Sequence, residues 1–175
     1  SAGVTFLDGP ARSIYAFHGM VNNHVYTLAA NGEFLVTGTL GGASVLQGES
    51  VKRSDTTANS GLKTNWITAF VRVGDEWWAG TYGGGVQRLS DSGEWRTFDG
   101  LPKNAVVNPN AMAVTPSAVY AVVADFHRFA EWSPWQDLDP NMKVDFSGAP
   151  SGQGAVYHWA GNDKAGEGRM TIDDV

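Results

Sequence analysis

The chain has 175 residues, 42% hydrophobic and 17% charged, with 22 glycines and 7 tryptophans. This is the make-up of a globular chain of one large or two small domains, not of a disordered one. The net charge of −6 is uneven, with 8 Lys+Arg against 9 Asp+Glu up to residue 110 and 4 against 9 beyond it; no basic face exists for nucleic acid.

Cysteine is absent, which excludes disulfides and thiolate metal sites, and no apolar run is long enough for a membrane span. The chain opens on Ser1-Ala2-Gly3 and stops at Ile172-Asp173-Asp174-Val175 in what reads as mid-strand. A piece of a longer protein is expected, and the composition indicates no compartment.

From the N-terminus the text repeats itself. Gly61-Leu62-Lys63-Thr64-Asn65-Trp66-Ile67 follows Gly19-Met20-Val21-Asn22-Asn23-His24-Val25 by 42 residues, and Gly100-Leu101-Pro102-Lys103-Asn104-Ala105-Val106 follows 39 later. Gly38-Thr39-Leu40-Gly41-Gly42 returns as Gly80-Thr81-Tyr82-Gly83-Gly84, and Ile14-Tyr15-Ala16-Phe17 is set against Trp95-Arg96-Thr97-Phe98. A period of about 40 residues with several short strands and glycine turns is the size of a four-stranded propeller blade. In the best copy the strands are expected at Ile67–Val73, Trp77–Gly80, Val86–Leu89 and Trp95–Phe98, as one antiparallel sheet.

The motif Trp77-Trp78-Ala79-Gly80-Thr81-Tyr82-Gly83-Gly84-Gly85-Val86, with Gly100-Leu101-Pro102-type linkers, resembles the two-component-regulator propeller repeat over residues 1–114. The resemblance implies a sensory or interaction module, not a catalyst, with Trp66, Trp77, Trp78, Tyr82 and Trp95 packing between blades. A leftover half-blade at Gly3–Phe17, two blades and one or two further strands cannot close a ring. Exposed blade faces then have to meet the C-terminal part, a second copy or a protein partner.

Ala111 to Phe126 can be read in two ways. Ala111–Val114 and Val119–Ala121 fit the next two strands of the repeat. Alternatively Thr115 caps, and Pro116 opens, a helix over Pro116–Ala124 with Val119, Val122, Val123 and Phe126 on one face. The capping chemistry favours the helix. Such a seam is expected where two unrelated genes were joined at a stretch that suits both.

Beyond it, strands are expected near Lys143–Ser147, Ala155–Trp159 and Glu167–Asp173. Ala124-Asp125-Phe126, Trp132-Ser133-Pro134-Trp135, Asp139-Pro140, Ser147-Gly148, Gly152-Gln153-Gly154-Ala155, Trp159-Ala160-Gly161-Asn162 and Gly166-Glu167-Gly168-Arg169-Met170-Thr171-Ile172 resemble the first half of the polyketide cyclase/dehydrase, START-like (SRPBCC) superfamily. That resemblance implies a helix-grip fold around an apolar small molecule, with Trp132, Trp135, Tyr157 and Trp159 as pocket or core aromatics. The family's long closing helix would lie after Val175.

Catalytic candidates are few. Asp137-Leu138-Asp139-Pro140-Asn141 opens like a calcium loop, but Met142 and Gly148 stand where Gly and Glu are required, so a capped turn is expected. His18, His24, His127 and His158 have no metal spacing. Gly83-Gly84-Gly85 lacks the Lys of a phosphate loop, and Ser60, Ser117 and Ser133 lack a nucleophile elbow.

The sequence therefore predicts a mainly β chain with a small α+β part: incomplete four-stranded propeller blades over 1–114, then a partial helix-grip domain over 115–175. The expected function is a non-enzymatic composite, a sensor or interaction module joined to part of an apolar-ligand domain. It needs no cofactor or metal and can self-associate through open blade edges. The alternative is a cyclase-like or lipid-transfer domain.

Overall fold

The computed structural model describes residues 3–101, 104–124, 127 and 138–173. Its regular elements there are fifteen strands and one turn of 3-10 helix at Ala16–His18. Strands β1 (Val4–Phe6) and β2 (Arg12–Ile14) form a two-stranded sheet. Strands β3 (Val25–Asn31), β4 (Phe34–Thr39), β5 (Ala43–Gln47) and β6 (Ser50–Asp55) form the first complete unit. The second comprises β7 (Ile67–Val73), β8 (Glu76–Thr81), β9 (Val86–Ser90) and β10 (Trp95–Thr97). Both are antiparallel meanders in chain order, and each predicted strand of the second copy lies within one residue of its observed bounds.

Alternate residues of a strand face opposite sides, so each unit buries both its faces. Val36 and Ala43 of the first unit pack against Ile67, Phe70, Trp77 and Leu89 of the second. On the other side of the first unit, Leu46 and Leu35 meet Val4 and Ile14 of the β1–β2 pair. The strand-one edges come together: β3 lies beside β7, and β7 beside β11 (Val107–Val114). There is no room there for a side chain on β4 or β8. A Cβ built on Gly38 would lie 2.6 Å from Ile67 Cγ2, and one on Gly80 2.6 Å from Val107 Cγ1.

A third hairpin follows the same plan. Strand β12 (Val119–Val123) pairs with β11, and the first pair, Val107 with Val123, precedes a bulge. Val25 with Thr39 and Ile67 with Thr81 are the matching first pairs, each followed by a one-residue bulge, whereas the third hairpin takes up three extra residues between Val107 and Met112. The amides of Leu40, Tyr82 and Ala124 bond the carbonyls of His24, Trp66 and Val106 at 3.2, 3.0 and 2.9 Å. The hairpin straddles position 114.

The helix predicted over Pro116–Ala124 is therefore corrected to a turn and a strand. The Thr115 hydroxyl does accept the Ala118 amide at 3.2 Å, the bond of an N-cap, but Thr115 N–H also bonds Ala118 O at 2.8 Å and closes a hairpin. The β-branched and aromatic run Val119-Tyr120-Ala121-Val122-Val123 then prefers a strand. A second correction concerns the repeat: Ile14 pairs with Val4 just after Gly3, as the Phe98 amide bonds Val86 O just after Gly85. Ile14 thus matches Phe98 and not Trp95, and Phe17, 87% exposed, has left the ladder.

Strands β13 (Lys143–Gly148), β14 (Ala155–Ala160) and β15 (Glu167–Thr171) form a three-stranded antiparallel sheet close to the predicted positions. The described elements are strands and one 3-10 turn, with Leu138 the one α-helical position, so the α+β helix-grip part of the expected fold is overturned: every described sheet is antiparallel β. The sheet reaches the rest of the chain through its β13–β14 turn. Ser151 Oγ donates to Asn104 O at 2.5 Å, and Gly152 N–H to Ala124 O at 2.8 Å.

Overpacking a tight strand contact costs about 1–3 kcal/mol. Gly80→Ala should lower the unfolding free energy by about this amount in urea titration; an unchanged midpoint would contradict the close approach of β8 to β11.

Candidate functional site between the sheets

The outer strands of the two complete units are tied by a buried carboxylate. Asp55, at the end of β6 and 5% exposed, accepts Trp95 Nε1–H at 2.8 Å and Arg53 Nε–H at 2.6 Å. Arg53 also donates to the Gly93 carbonyl in the turn before β10. Two paired side chains of the first unit thus hold the second, Asp55 the indole and Arg53 the turn.

Beside this clamp runs a groove of about 520 Å3, lined by Phe34, Val45, Lys52, Arg72, Trp77 and Asp91 among others. Arg72 makes a two-pronged pair with Asp91, at 2.7 and 2.8 Å, donates to Gly74 O at 2.9 Å and lies 4.7 Å over the Trp77 ring. The Arg72 guanidinium holds the Asp91 carboxyl below its usual range, chiefly by hydrogen bonding. Its own pKa is raised by the same bond. Arg53 bridges the two sheets, Arg72 pairs within its own, and Lys52 on β6 is exposed.

The glycine turns carry a second device. Thr39 Oγ1 donates to Gly42 O at 2.7 Å and accepts from Gly41 N–H at 3.0 Å; Thr81 repeats this with Gly85 O and Gly84 N–H at 2.8 and 3.0 Å. Both threonines are fully buried. Their recurrence after Gly38 and Gly80 was the available signal; nothing in the sequence marked Asp55 or Arg53.

The aromatic candidates fall into distinct places. Trp77 and Trp95 are buried between the units, whereas Trp78 is half-buried on the opposite face with Phe98 at 5.3 Å and Arg88 at 5.7 Å. Trp66 stacks on Tyr82 with centroids 4.3 Å apart. Tyr157 is buried on β14 between Phe146 and Trp159, at 5.5 and 5.9 Å, and burial pushes its hydroxyl pKa up. Trp159 Nε1–H donates to Ala165 O at 3.2 Å. Trp132 and Trp135 lie outside the described residues, as does Asp137.

The polar candidates are not brought together. Asp139 accepts the amides of Asn141 and Asn162 at 3.0 and 2.8 Å, which is the geometry of a capped turn. His18 Nδ1 accepts the Tyr15 amide, His24 sits beside Asn22, His127 stacks on Phe146 and His158 lies 3.4 Å from Glu167. Among the described residues no three His, Cys, Asp or Glu side chains gather as a metal site.

Two outcomes are expected. Asp55→Ala strands the Trp95 N–H and takes the carboxylate from Arg53, which keeps only the Gly93 carbonyl, so stability should fall by about 2–3 kcal/mol in chemical denaturation; a loss below about 0.5 kcal/mol would remove the clamp from the account. Asp91 titrates lower folded than unfolded, so its contribution is present above the unfolded carboxylate pKa and is lost as pH falls through the folded value. Asp91→Asn should cost only about 0.5 kcal/mol at neutral pH, because the pair is exposed, and nothing in strong acid. A cost independent of pH would assign Asp91 another role.

No protein-family model and no curated protein matches the sequence. Among solved structures, the chain is similar to the extracellular domain of BT4673 from B. thetaiotaomicron, a protein assigned to the hybrid two-component systems. The TM-score is 0.50 and the identity 25%, over 59% of this chain and 15% of that one. It is also similar to the computationally designed Ika4 protein, with a TM-score of 0.45 and 13% identity over 85% of this chain and 91% of that one. The chain thus spans about 15% of the length of the BT4673 domain it matches.

Proposed function

We propose that this chain is a run of propeller blades, of the two-component-regulator type, that serves as a non-enzymatic recognition module in a sensor. The observation that carries the reading is the first hairpin pair repeated at Val25/Thr39, Ile67/Thr81 and Val107/Val123, each followed by a register shift that is longer in the third. The BT4673 neighbour, an extracellular domain of a two-component system, supports the sensor class. On this reading the propeller-like part runs through β12, and the β13–β15 sheet is a separate attachment.

Recognition then belongs to protein surfaces and not to an enclosed pocket. The ends of the array leave apolar side chains in water, with Leu28 51%, Tyr120 57% and Val122 58% exposed. A protein partner or another copy of the chain is the occupant such faces suit. The apolar-ligand and cyclase readings rested on the helix-grip resemblance, and neither the described strands nor the BT4673 neighbour supports them.

Anything that binds only the folded state raises the unfolding temperature by mass action. The melting temperature should rise with protein concentration and stay fixed across a panel of fatty acids and polycyclic aromatics. A melting temperature independent of protein concentration and raised by such ligands would sink the proposal.

A further inference from the structure

The groove between the two complete units is furnished differently from the equivalent corner one unit on. By the register of the two sheets, Phe34 and Val45 of the first unit stand where Glu76 and Arg88 stand in the second. Glu76 and Arg88 answer each other at 3.6 Å. In the first unit the corner is apolar instead, and Phe34 stays 45% exposed at the mouth of the groove. The repeat itself does not require this, since its second copy fills the same place with a charge pair.

A bulge adds a cation to this corner. Val45 pairs with Arg53 but Leu46 with Val51, so Lys52 is an extra residue in the β5–β6 ladder. The second unit pairs β9 with β10 without a slip and has no counterpart of it. Bulges re-aim side chains, and here Lys52 joins Arg53 on the lining of the groove. Arg53 is committed to Asp55 and Gly93, and Arg72 to Asp91 and Gly74. Lys52 has no hydrogen bond or ion pair among the described residues.

We infer that this groove receives an acidic segment of a protein partner: an apolar side chain enters between Phe34 and Trp77, and a neighbouring carboxylate meets the Lys52 ammonium. The inference deepens the recognition reading and rests on it. The walls are already fixed, by the Asp55 to Trp95 and Arg53 to Gly93 bonds at the rim and by Arg72 lying over Trp77. Binding therefore has little of the site left to order.

The chemistry of the lining favours a peptide over a lipid. Trp77 and Leu89 are buried on one wall and Val45 is half-buried on the other, which gives an apolar floor. Around it Lys52 donates, the exposed Asp91 carboxylate accepts, and the exposed Asn31 amide does both. An extended peptide carries N–H and C=O groups that answer both kinds, whereas a hydrocarbon chain answers neither. The sign of the charge follows from the pairing, since the two arginines are matched by Asp55 and Asp91 and the ammonium is left over. The chain as a whole carries −6, so this attraction is local to the groove and is weakened by salt.

Heteronuclear NMR of the labelled chain tests this with an amidated pentapeptide library drawn from Asp, Glu, Phe, Tyr and Leu. The library should move the Trp77 indole signal and the Lys52 and Asp91 amides while leaving Trp159 and the β13–β15 sheet in place. Binding should weaken about tenfold in Lys52→Glu, survive in Lys52→Arg and fall with added salt; a library with Lys and Arg in place of the acids should not bind. Both variants change an exposed side chain, and an otherwise unchanged spectrum checks that they fold. Phenylacetate is the small-molecule arm: the same shifts at equal or lower concentration assign the groove to small anions and overturn the protein partner. No shifts at millimolar peptide, shifts confined to other faces, or shifts indifferent to Lys52→Glu overturn the site. A melting temperature that still rises with protein concentration then keeps the recognition reading, and only the groove is lost.

Discussion

The inner strands of successive units approach so closely that positions 38 and 80 have no space for a Cβ. Almost everything else in residues 3–124 follows from that spacing. With glycine there, Ile67 and Val107 settle against the neighbouring strand and are fully buried, and the first strands of consecutive units lie side by side along this line. The threonine after each glycine is then held inside, where its hydroxyl has to find partners, and it finds them in the glycine turn beyond. Toward the rim the sheets separate, and the gap is bridged by longer side chains: Asp55 to Trp95, and Arg53 to the Gly93 turn.

This division of labour explains which parts of the molecule were legible in the sequence. Strand positions in the second unit were readable because glycine turns punctuate alternating runs, and both signals are local. The Asp55 clamp was not, because its partners are 40 residues away and a single aspartate after Arg53-Ser54 looks like a turn residue. The hairpin at β11–β12 was misread for a physical reason. The Thr115 bond to the Ala118 amide is common to a helix N-cap and to this turn, so local chemistry could not separate them; the pairing of Val107 with Val123 could. The helix-grip resemblance named three strands that do exist but not their setting, since short antiparallel strands with glycine turns look alike in many folds.

The C-terminal sheet buries its central strand. Ala155, Val156 and Tyr157 are buried on β14, with Met142 and Ala165 also buried nearby, while β13 is exposed along its whole length. Its contact with the array is polar and local, through Ser151 and Gly152. Trp159 is anchored within this sheet by its bond to Ala165 O. The aromatics proposed for a ligand cavity thus divide into Tyr157 and Trp159, which pack within one sheet, and Trp132 and Trp135, which lie outside the described residues.

The central claim is that Gly80 and Val107 occupy one shared space between consecutive units. A double-mutant cycle on Gly80→Ala and Val107→Ala, read by urea denaturation, addresses it directly, because contacting residues show coupling of about 0.5–3 kcal/mol and distant ones add. The account predicts that Val107→Ala is costly alone but recovers more than about 1 kcal/mol of the loss when Gly80→Ala is present. Additive losses would contradict it.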